Sequence, residues 1–235
     1  MRKSIILLLF VALVVAAIGT TKMKSRGNQE RLSELQNSPQ RGTLDWYAQM
    51  AAVKGERRVV IESPIPIYDE VTSLDEALSN YFVIRAQPIA IRSHVKDKES
   101  IWTWYKFRII ENLSQSSLPR PSNVPAAPQD LIPGNPDELL LDYEGGNQVI
   151  NGISVVQMPH GISPFLASKQ YILFLTPDAS GNGFRIPLGP SGVLVVRNDG
   201  SLESASRQAG DLLQKEIGNS LARFREVVET RRNTR

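Results

Sequence analysis

The spacing of apolar side chains changes twice along the chain. An unbroken apolar run extends from Ile5 to Ile18, and residues 28–54 then follow a helical pattern. From Tyr81 onward, apolar and polar positions alternate with the period of two that is typical of a half-buried strand. The helical period returns over residues 204–231. The pattern therefore predicts a β-rich body between helical ends.

Two long strands in the centre of the chain are predicted to form a hairpin. Residues 81–93 and 101–113 are rich in β-branched and aromatic side chains, and the polar sequence HVKDKES between them is typical of a turn. Five shorter strand-like segments follow, each bounded by turn residues: 138–143, 148–157, 170–176, 183–188 and 192–198. Short strands separated by glycine and proline favour a barrel or a sandwich. We therefore expect a mainly β fold with flanking helices (α+β).

The second strand of this hairpin divides its side chains between two faces. One face carries Ile101, Thr103, Tyr105, Phe107 and Ile109, and the other carries Trp102, Trp104, Lys106 and Arg108. The first set is the more apolar and is predicted to face the core. Trp102 and Trp104 either pack under one of the helices or, if their face is exposed, stack on a sugar or a peptide. These two residues are therefore the candidate binding residues.

Capping signals indicate where two short helices begin and end. Thr43 precedes the helical sequence LDWYAQMAAVK, and Gly55 follows it as a C-terminal stop. Ser73 and Glu76 have the spacing of a capping box, which predicts a second helix ending near Asn80. Both helices precede the predicted hairpin.

The C-terminal helical segment carries one apolar stripe. The stripe consists of Leu213, Ile217, Leu221, Phe224 and Val228. We expect it to pack on the β-rich body. The stripe is also narrow enough for a short coiled-coil seam, so homo-oligomerisation through this helix is the second interpretation.

The chain is predicted to contain four consecutive parts. Residues 1–21 form a signal peptide or a membrane anchor, and residues 22–56 form a helical stalk or linker. Residues 57–203 form the β-barrel domain, and residues 204–235 contain the C-terminal amphipathic helix. Within the barrel domain, residues 114–136 contain six prolines, so this insertion is predicted to be an extended surface loop or tether.

The N-terminal apolar run predicts export or membrane attachment. Two basic residues precede the run, and its 14 residues are fewer than the roughly 20 that a spanning helix needs. Small residues before Thr20 favour cleavage there, whereas the basic residues at positions 22, 24 and 26 resist translocation. Two interpretations fit these residues. The run is either a cleaved signal peptide, which would leave the protein periplasmic or extracellular, or an outward-facing anchor in the cytoplasmic membrane. An anchor that faces the cytoplasm is a third interpretation.

Composition narrows the classes of protein that fit. Hydrophobic residues make up 41% and charged residues 22% of the chain, as in ordinary globular proteins. The net charge is only +3, and no basic stripe with interleaved aromatic residues is present, so nucleic acid is not a predicted partner. The chain has no cysteine, which excludes disulfides, a lipid-modified cysteine, and metal or redox chemistry that depends on cysteine.

The order of the central segments resembles a loosely defined group of bacterial exported proteins of unknown function. The matching residues are Ile101 to Phe107 with Glu111 and Leu113, then Gly145-Gly146, Pro164-Phe165, Tyr171 to Leu175, and Gly192 to Gly200. The resemblance covers residues 81–200 and implies export and a small OB-like β-barrel. Ser168 departs from the glycine of that pattern. The cysteines that define secreted OB-fold protease inhibitors are missing, so the resemblance implies no inhibitory activity.

Few residues offer catalytic chemistry. Asp142 and Glu144 are two positions apart and would share one face of a strand, and the following Gly145-Gly146 suits positive φ. His160 lies in a loop without a neighbouring nucleophile or second ligand, and His94 is expected to be exposed in the hairpin turn. We therefore predict no catalytic, cofactor or metal site.

Three functions fit these observations. The preferred one is a non-enzymatic binding module of the cell envelope that contacts a protein or envelope component through Trp102 and Trp104. The first alternative is an envelope hydrolase or metal-dependent enzyme that uses Asp142, Glu144 and His160. The second alternative is a structural subunit that oligomerises through its C-terminal helix.

Overall fold

The structure is a computed structural model that describes residues 27–63, 67–114, 116–119, 127–159, 161–178, 183–205 and 216–233. The chain divides into two compact units. One comprises Met1–Val59 and Val149–Val155, and the other comprises Val60–Gln148 and Val156–Arg235. The predicted signal peptide or anchor, residues 1–21, lies outside the described residues. Within the described part of the chain, no helix has both the length and the apolar character needed to cross a membrane.

The first unit contains helical residues 27–36 and helix α1, Leu44–Lys54. Thr43 caps α1 by accepting a hydrogen bond from the Trp46 backbone N–H. Gly55 ends it in the left-handed conformation, with φ of 77°. Both predicted caps are confirmed. The Trp46 indole Nε1 donates to the Leu35 carbonyl at 2.7 Å, and this bond links the two helical segments.

The strands and remaining helices follow in chain order. The strands are β1 (Arg58–Glu62), β2 (Phe82–Val95), β3 (Ile101–Asn112), β4 (Glu138–Glu144), β5 (Gly146–Ile150), β6 (Ile153–Met158), β7 (Gln170–Pro177), β8 (Phe184–Arg185), β9 (Val193–Val196) and β10 (Leu202–Ser204); the helices are α2 (Leu74–Asn80) and α3 (Leu221–Asn233). Residues 148–157, predicted as one strand, are parts of β5 and β6. The turn between them is made by Asn151 and Gly152, both with positive φ.

Five strands close into a barrel. Strands β7–β2–β3–β4 pair antiparallel in that order, β4 pairs parallel with β8, and β8 pairs back onto β7. Strands β9 and β10 extend the sheet beyond β7, whereas β1, β6 and β5 form a separate three-stranded sheet. The predicted mainly β fold with flanking helices is confirmed, and its central sheet is a barrel rather than a sandwich.

The barrel domain has two hydrophobic clusters. The first fills the barrel and includes Ile84, Tyr105, Phe107, Leu141, Phe165, Tyr171 and Leu173. The second joins the outer side of the sheet to α2 and α3 and includes Leu74, Phe174, Leu194, Ile217, Leu221, Phe224 and Val228. The predicted core face of β3 is confirmed, since Ile101, Thr103, Tyr105 and Phe107 are buried and Ile109 is half-buried. The described part of the C-terminal stripe packs on the sheet, as predicted.

Strand β2 is interrupted by two register shifts, between Arg85 and Ala86 and between Pro88 and Ala90. Pro88 has no N–H to donate to a ladder, so a strand tolerates it best beside such an irregularity. Beyond the second shift, Arg92 lies opposite Trp104 and His94 lies opposite Trp102. These shifts therefore set which residues of β2 neighbour the two tryptophans.

Candidate functional site

The two tryptophans lie in the middle of a three-stranded surface formed by β2, β3 and β4. Trp102 has His94 opposite it on β2 and Glu144 opposite it on β4. Trp104 has Arg92 and Asp142 in the corresponding positions. We call these six residues, together with Lys96 from the following turn, the tryptophan face. Alternation along the strands places the face on the side of β3 away from the barrel core.

Trp104 is stacked against a histidine of the neighbouring strand. The His94 and Trp104 rings are nearly parallel, with centroids 3.7 Å apart and an interplanar angle of 10°. His94 Nε2 also lies 3.0 Å from Asp142 Oδ1. The predicted exposed position of His94 is wrong, because β2 extends to Val95 and only 18% of the His94 side chain is exposed. The histidine thus connects an aromatic ring to a carboxylate across three strands.

Trp102 is covered by the first residue of the β2–β3 turn. Lys96 Nζ lies 3.2 Å from the Trp102 ring centroid, which is cation–π geometry. The indole Nε1 donates to Ser100 Oγ at 3.2 Å. Asp97 orders this turn by accepting hydrogen bonds from the Ser100 hydroxyl and from backbone N–H groups, and these bonds lower the pKa of its carboxyl. The turn is therefore a fixed border of the tryptophan face.

The two indoles are held by polar neighbours rather than by the apolar core. Trp102 and Trp104 are half-buried, and neither belongs to the two hydrophobic clusters. Among the described residues, their ring contacts are with Lys96 and His94. The two half-buried tryptophans therefore reach the surface beside a lysine and a histidine.

A buried amide supports the face at Glu144. Gln157 donates to Glu144 Oε1 at 2.8 Å and to Ser63 Oγ at 3.1 Å, and its own oxygen accepts from the Ile101 backbone N–H at 2.6 Å. Burial raises the pKa of Glu144, against the opposing effect of its hydrogen bonds. Asp142 instead pairs with His94 and lies 3.8 Å from Lys96 Nζ. The two acids share a strand face, as predicted, but have different partners.

Two glycines fix the strand exit beside Glu144. Gly145 and Gly146 have φ values of 104° and 146°, as the predicted positive-φ pair requires. A Cβ on Gly146 would lie 2.5 Å from Ser93 Oγ and would also overlap Thr103 Oγ1. Thr103 donates to the Gly145 carbonyl at 2.6 Å. The backbone under the tryptophan face therefore packs too closely for any side chain at position 146.

The end of the proline-rich insertion packs beside the face. Leu131 is only 1% exposed, and Lys106 Nζ donates to the Ile132 carbonyl at 3.1 Å. Asp130 accepts two hydrogen bonds from the Arg92 guanidinium, at 2.8 and 3.3 Å. These described residues thus form a packed border, although the sequence predicted an extended loop.

Two of the three residues of the predicted enzymatic alternative, Asp142 and Glu144, lie on the tryptophan face. Asp142 contacts His94 rather than an activated nucleophile, and the Ser100 hydroxyl donates to Asp97. His160, the histidine of the predicted enzymatic alternative, lies outside the described residues. A search of the described part of the chain finds no group of three or more histidines and carboxylates placed to hold a metal ion.

Fold and surface together define a closed five-stranded barrel that carries a tryptophan–histidine–lysine surface on three of its strands. No protein-family model, curated protein or solved structure matches the chain.

Proposed function

We propose that this chain is a non-enzymatic binding module of the cell envelope that contacts a protein partner through the tryptophan face. The observation that carries the proposal is the placement of two half-buried tryptophans, one covered by a lysine and the other stacked with a histidine, on the surface of the barrel and outside its hydrophobic clusters. Tryptophan dominates the binding energy of many protein interfaces because it buries a large area with few rotatable bonds.

Strand connectivity supports an OB-like barrel. OB barrels are five-stranded Greek-key barrels. In chain order the five barrel strands here are β2, β3, β4, β7 and β8, and the third and the fifth of them, β4 and β8, pair in parallel. OB barrels bind ligands on the face of their second and third strands and on the loop between the first and second. The equivalents in this chain are β3, β4 and residues 96–100. The tryptophan face therefore coincides with the surface that OB barrels use for recognition.

The fixed geometry of the face favours a protein partner. Lys96 and His94 already cover one side of each indole, so a sugar ring has no free stack on that side. Trp102 and Trp104 offer their uncovered surface and the neighbouring charged side chains to an opposing protein surface. Because Asp97, Ser100 and Asp130 already order the border, binding would cost little additional side-chain entropy.

The envelope location rests on the N-terminal sequence. The apolar run from Ile5 to Ile18 follows two basic residues, and the resemblance of residues 81–200 is to exported proteins. Both observations favour a protein that is anchored to the membrane or released outside it. Fractionation of cells that express the full chain, with and without residues 1–21, tests this part: we expect the shortened chain to remain in the cytoplasm.

A double substitution tests the binding face. We expect Trp102→Ala with Trp104→Ala to lose the partners that the tagged full chain captures from detergent-solubilised envelopes. Trp46→Ala is the matched control, because it also removes an indole but lies in the other compact unit. If the double variant retains its melting temperature and every partner stays bound, the assignment of the face is wrong.

A further inference from the structure

A second surface of the barrel domain is a charged groove. It runs along β2, β7 and β9 and the turn between β9 and β10, and it has a volume of about 780 Å³. We call it the basic groove; its lining includes the charged residues Arg85, Lys169, Arg197 and Glu203 and the amides Gln87 and Gln170. A volume of this size suits a small ligand.

Among the described residues, one of the three cations in the groove, Arg197, has a carboxylate of its own. Arg197 donates to Glu203 Oε2 from two nitrogens, at 2.7 and 3.0 Å. That pair is close to neutral and lies at the border of the groove. Arg197 therefore contributes little net attraction for an added anion while Glu203 is present.

Arg85 shares its carboxylate with a second arginine. Glu111 accepts two hydrogen bonds from Arg225 Nε, at 2.8 and 3.1 Å, and another from Arg225 Nη2. Arg85 Nη1 reaches the same carboxylate only at 3.4 Å. Arg225 makes the shorter contacts with this carboxylate and also lies within the influence of Glu229, so Arg85 is the more weakly paired of the two arginines. Only 18% of the Arg85 side chain is exposed, so solvent screens this charge less than at the surface.

Arg85 is also held in place. Its Nε donates to Gln170 Oε1 at 3.0 Å, so the guanidinium is positioned before a ligand arrives. Lys169 is exposed and forms no ion pair with any described residue. One positioned, weakly paired guanidinium and one exposed ammonium therefore line the same groove. A planar guanidinium suits bidentate contact with an oxyanion, and a lysine adds a point charge.

We propose that the basic groove binds a small multivalent oxyanion, a ligand with at least two carboxylate or phosphate groups, through Arg85 and Lys169. The described lining contains no aromatic ring, so recognition depends on charge and hydrogen bonds rather than on stacking. None of the residues that line the groove belongs to the tryptophan face, so the two sites are separate.

Calorimetric titration of the full chain at low ionic strength tests the proposal, with tripolyphosphate in one arm and citrate in the other. We expect at least one of them to bind. Lys169→Gln should weaken that binding roughly tenfold, as expected for the loss of one charge-assisted contact. Whichever anion binds more tightly identifies phosphate or carboxylate as the recognised group.

Two further variants separate a specific site from general attraction. Lys98→Gln removes one exposed lysine from the β2–β3 turn and should leave the affinity unchanged. Glu203→Gln should tighten binding severalfold, because it releases Arg197 to the groove. The proposal is overturned if neither anion binds, or if Lys98→Gln weakens binding as much as Lys169→Gln does.

Discussion

The tryptophan face and the basic groove use charge in opposite ways. On the tryptophan face the basic side chains already have partners: Lys96 lies over Trp102, His94 contacts Asp142, and Arg92 pairs with Asp130. In the basic groove, Arg85 shares a carboxylate and Lys169 has no ion pair among the described residues. Compensated charges order a surface for contact, whereas uncompensated charges attract a ligand from a distance.

The largest effect is expected from Gly146→Ala, which should disturb the tryptophan face and leave the basic groove intact. In Gly146→Ala the new methyl group would overlap Ser93 and Thr103 at a φ of 146°. We expect a loss of about 3 kcal/mol in the free energy of unfolding, measured by chemical denaturation, because steric overlap adds to backbone strain. Partner capture should fall, whereas anion binding to the folded protein should persist.

Gly200→Ala is the control for that substitution. Gly200 also has positive φ, 78°, but a Cβ there meets no atom within 4 Å. The variant should therefore cost only about 1 kcal/mol, the strain of a left-handed residue. Equal losses for the two variants would show that overlap beneath the tryptophan face is not what constrains Gly146.

Ionic strength should distinguish the surfaces next. Raising salt from about 0.05 M to about 0.5 M shortens the screening length severalfold. We expect anion affinity in the basic groove to fall roughly tenfold, and partner capture through the tryptophan face to change by less than about threefold. Titration calorimetry and quantitative capture measure the two responses. A stronger salt response of partner capture would contradict the comparison.

A smaller effect should appear in the pH dependence of stability. Burial raises the pKa of Glu144, so the native state holds this proton more tightly than the unfolded chain does. Between the ordinary glutamate pKa and the raised pKa of Glu144, the native state therefore binds more protons than the unfolded chain does. The contribution of Glu144 to stability falls as pH rises through this range. Glu144→Gln should melt at a higher temperature than wild type near pH 7, and the difference should shrink near pH 4.

Glu138 provides a control of opposite sign. A hydrogen bond from the Gly134 backbone N–H lowers the pKa of Glu138. Lys106 lowers this pKa further, whereas partial burial opposes the shift. Its contribution to stability is present at neutral pH and is lost as pH falls. Glu138→Gln should therefore melt below wild type near pH 7, with a smaller difference in acid. Shifts of the same sign in both variants would contradict the different environments assigned to these acids.

The smallest effect concerns the histidine. His94→Phe keeps an aromatic ring against Trp104 but removes the contact with Asp142. We expect a loss of about 1 kcal/mol in the free energy of unfolding, the usual contribution of one polar contact. Partner capture should persist if the face acts through its aromatic rings. Complete loss of capture would assign recognition to the histidine–aspartate pair instead.

Local pattern predicted the fold better than it predicted the neighbours of the candidate site. Alternation along β3 identified the face of Trp102 and Trp104 because it depends on one strand alone. The position of His94 depends on two register shifts in β2. The sequence around Ile89 is nearly continuously apolar, so its pattern does not indicate where these shifts occur. The hairpin turn at Asn151 did carry a recognisable signal, the Asn-Gly dipeptide.

The basic groove could not be predicted from local pattern. Arg85, Lys169 and Arg197 are far apart in sequence and meet only because β7 pairs with both β2 and β9. The Gln157 network depends likewise on contacts from Ser63, Ile101 and Glu144. A single sequence does not specify these pairings, since many registers satisfy the same alternation.

The closing strand of the barrel has a consequence for its dynamics. Strand β8 is two residues long and pairs with β4 at one position, Leu141 with Phe184. Such a short seam is the easiest place for a closed sheet to open, so backbone amides there should exchange with solvent before those of the β2–β3 pairing. While open, β4 would expose an edge that another chain could extend, whereas β7 would stay paired with β2 and β9. The barrel is thus a sheet whose closure depends on very few hydrogen bonds.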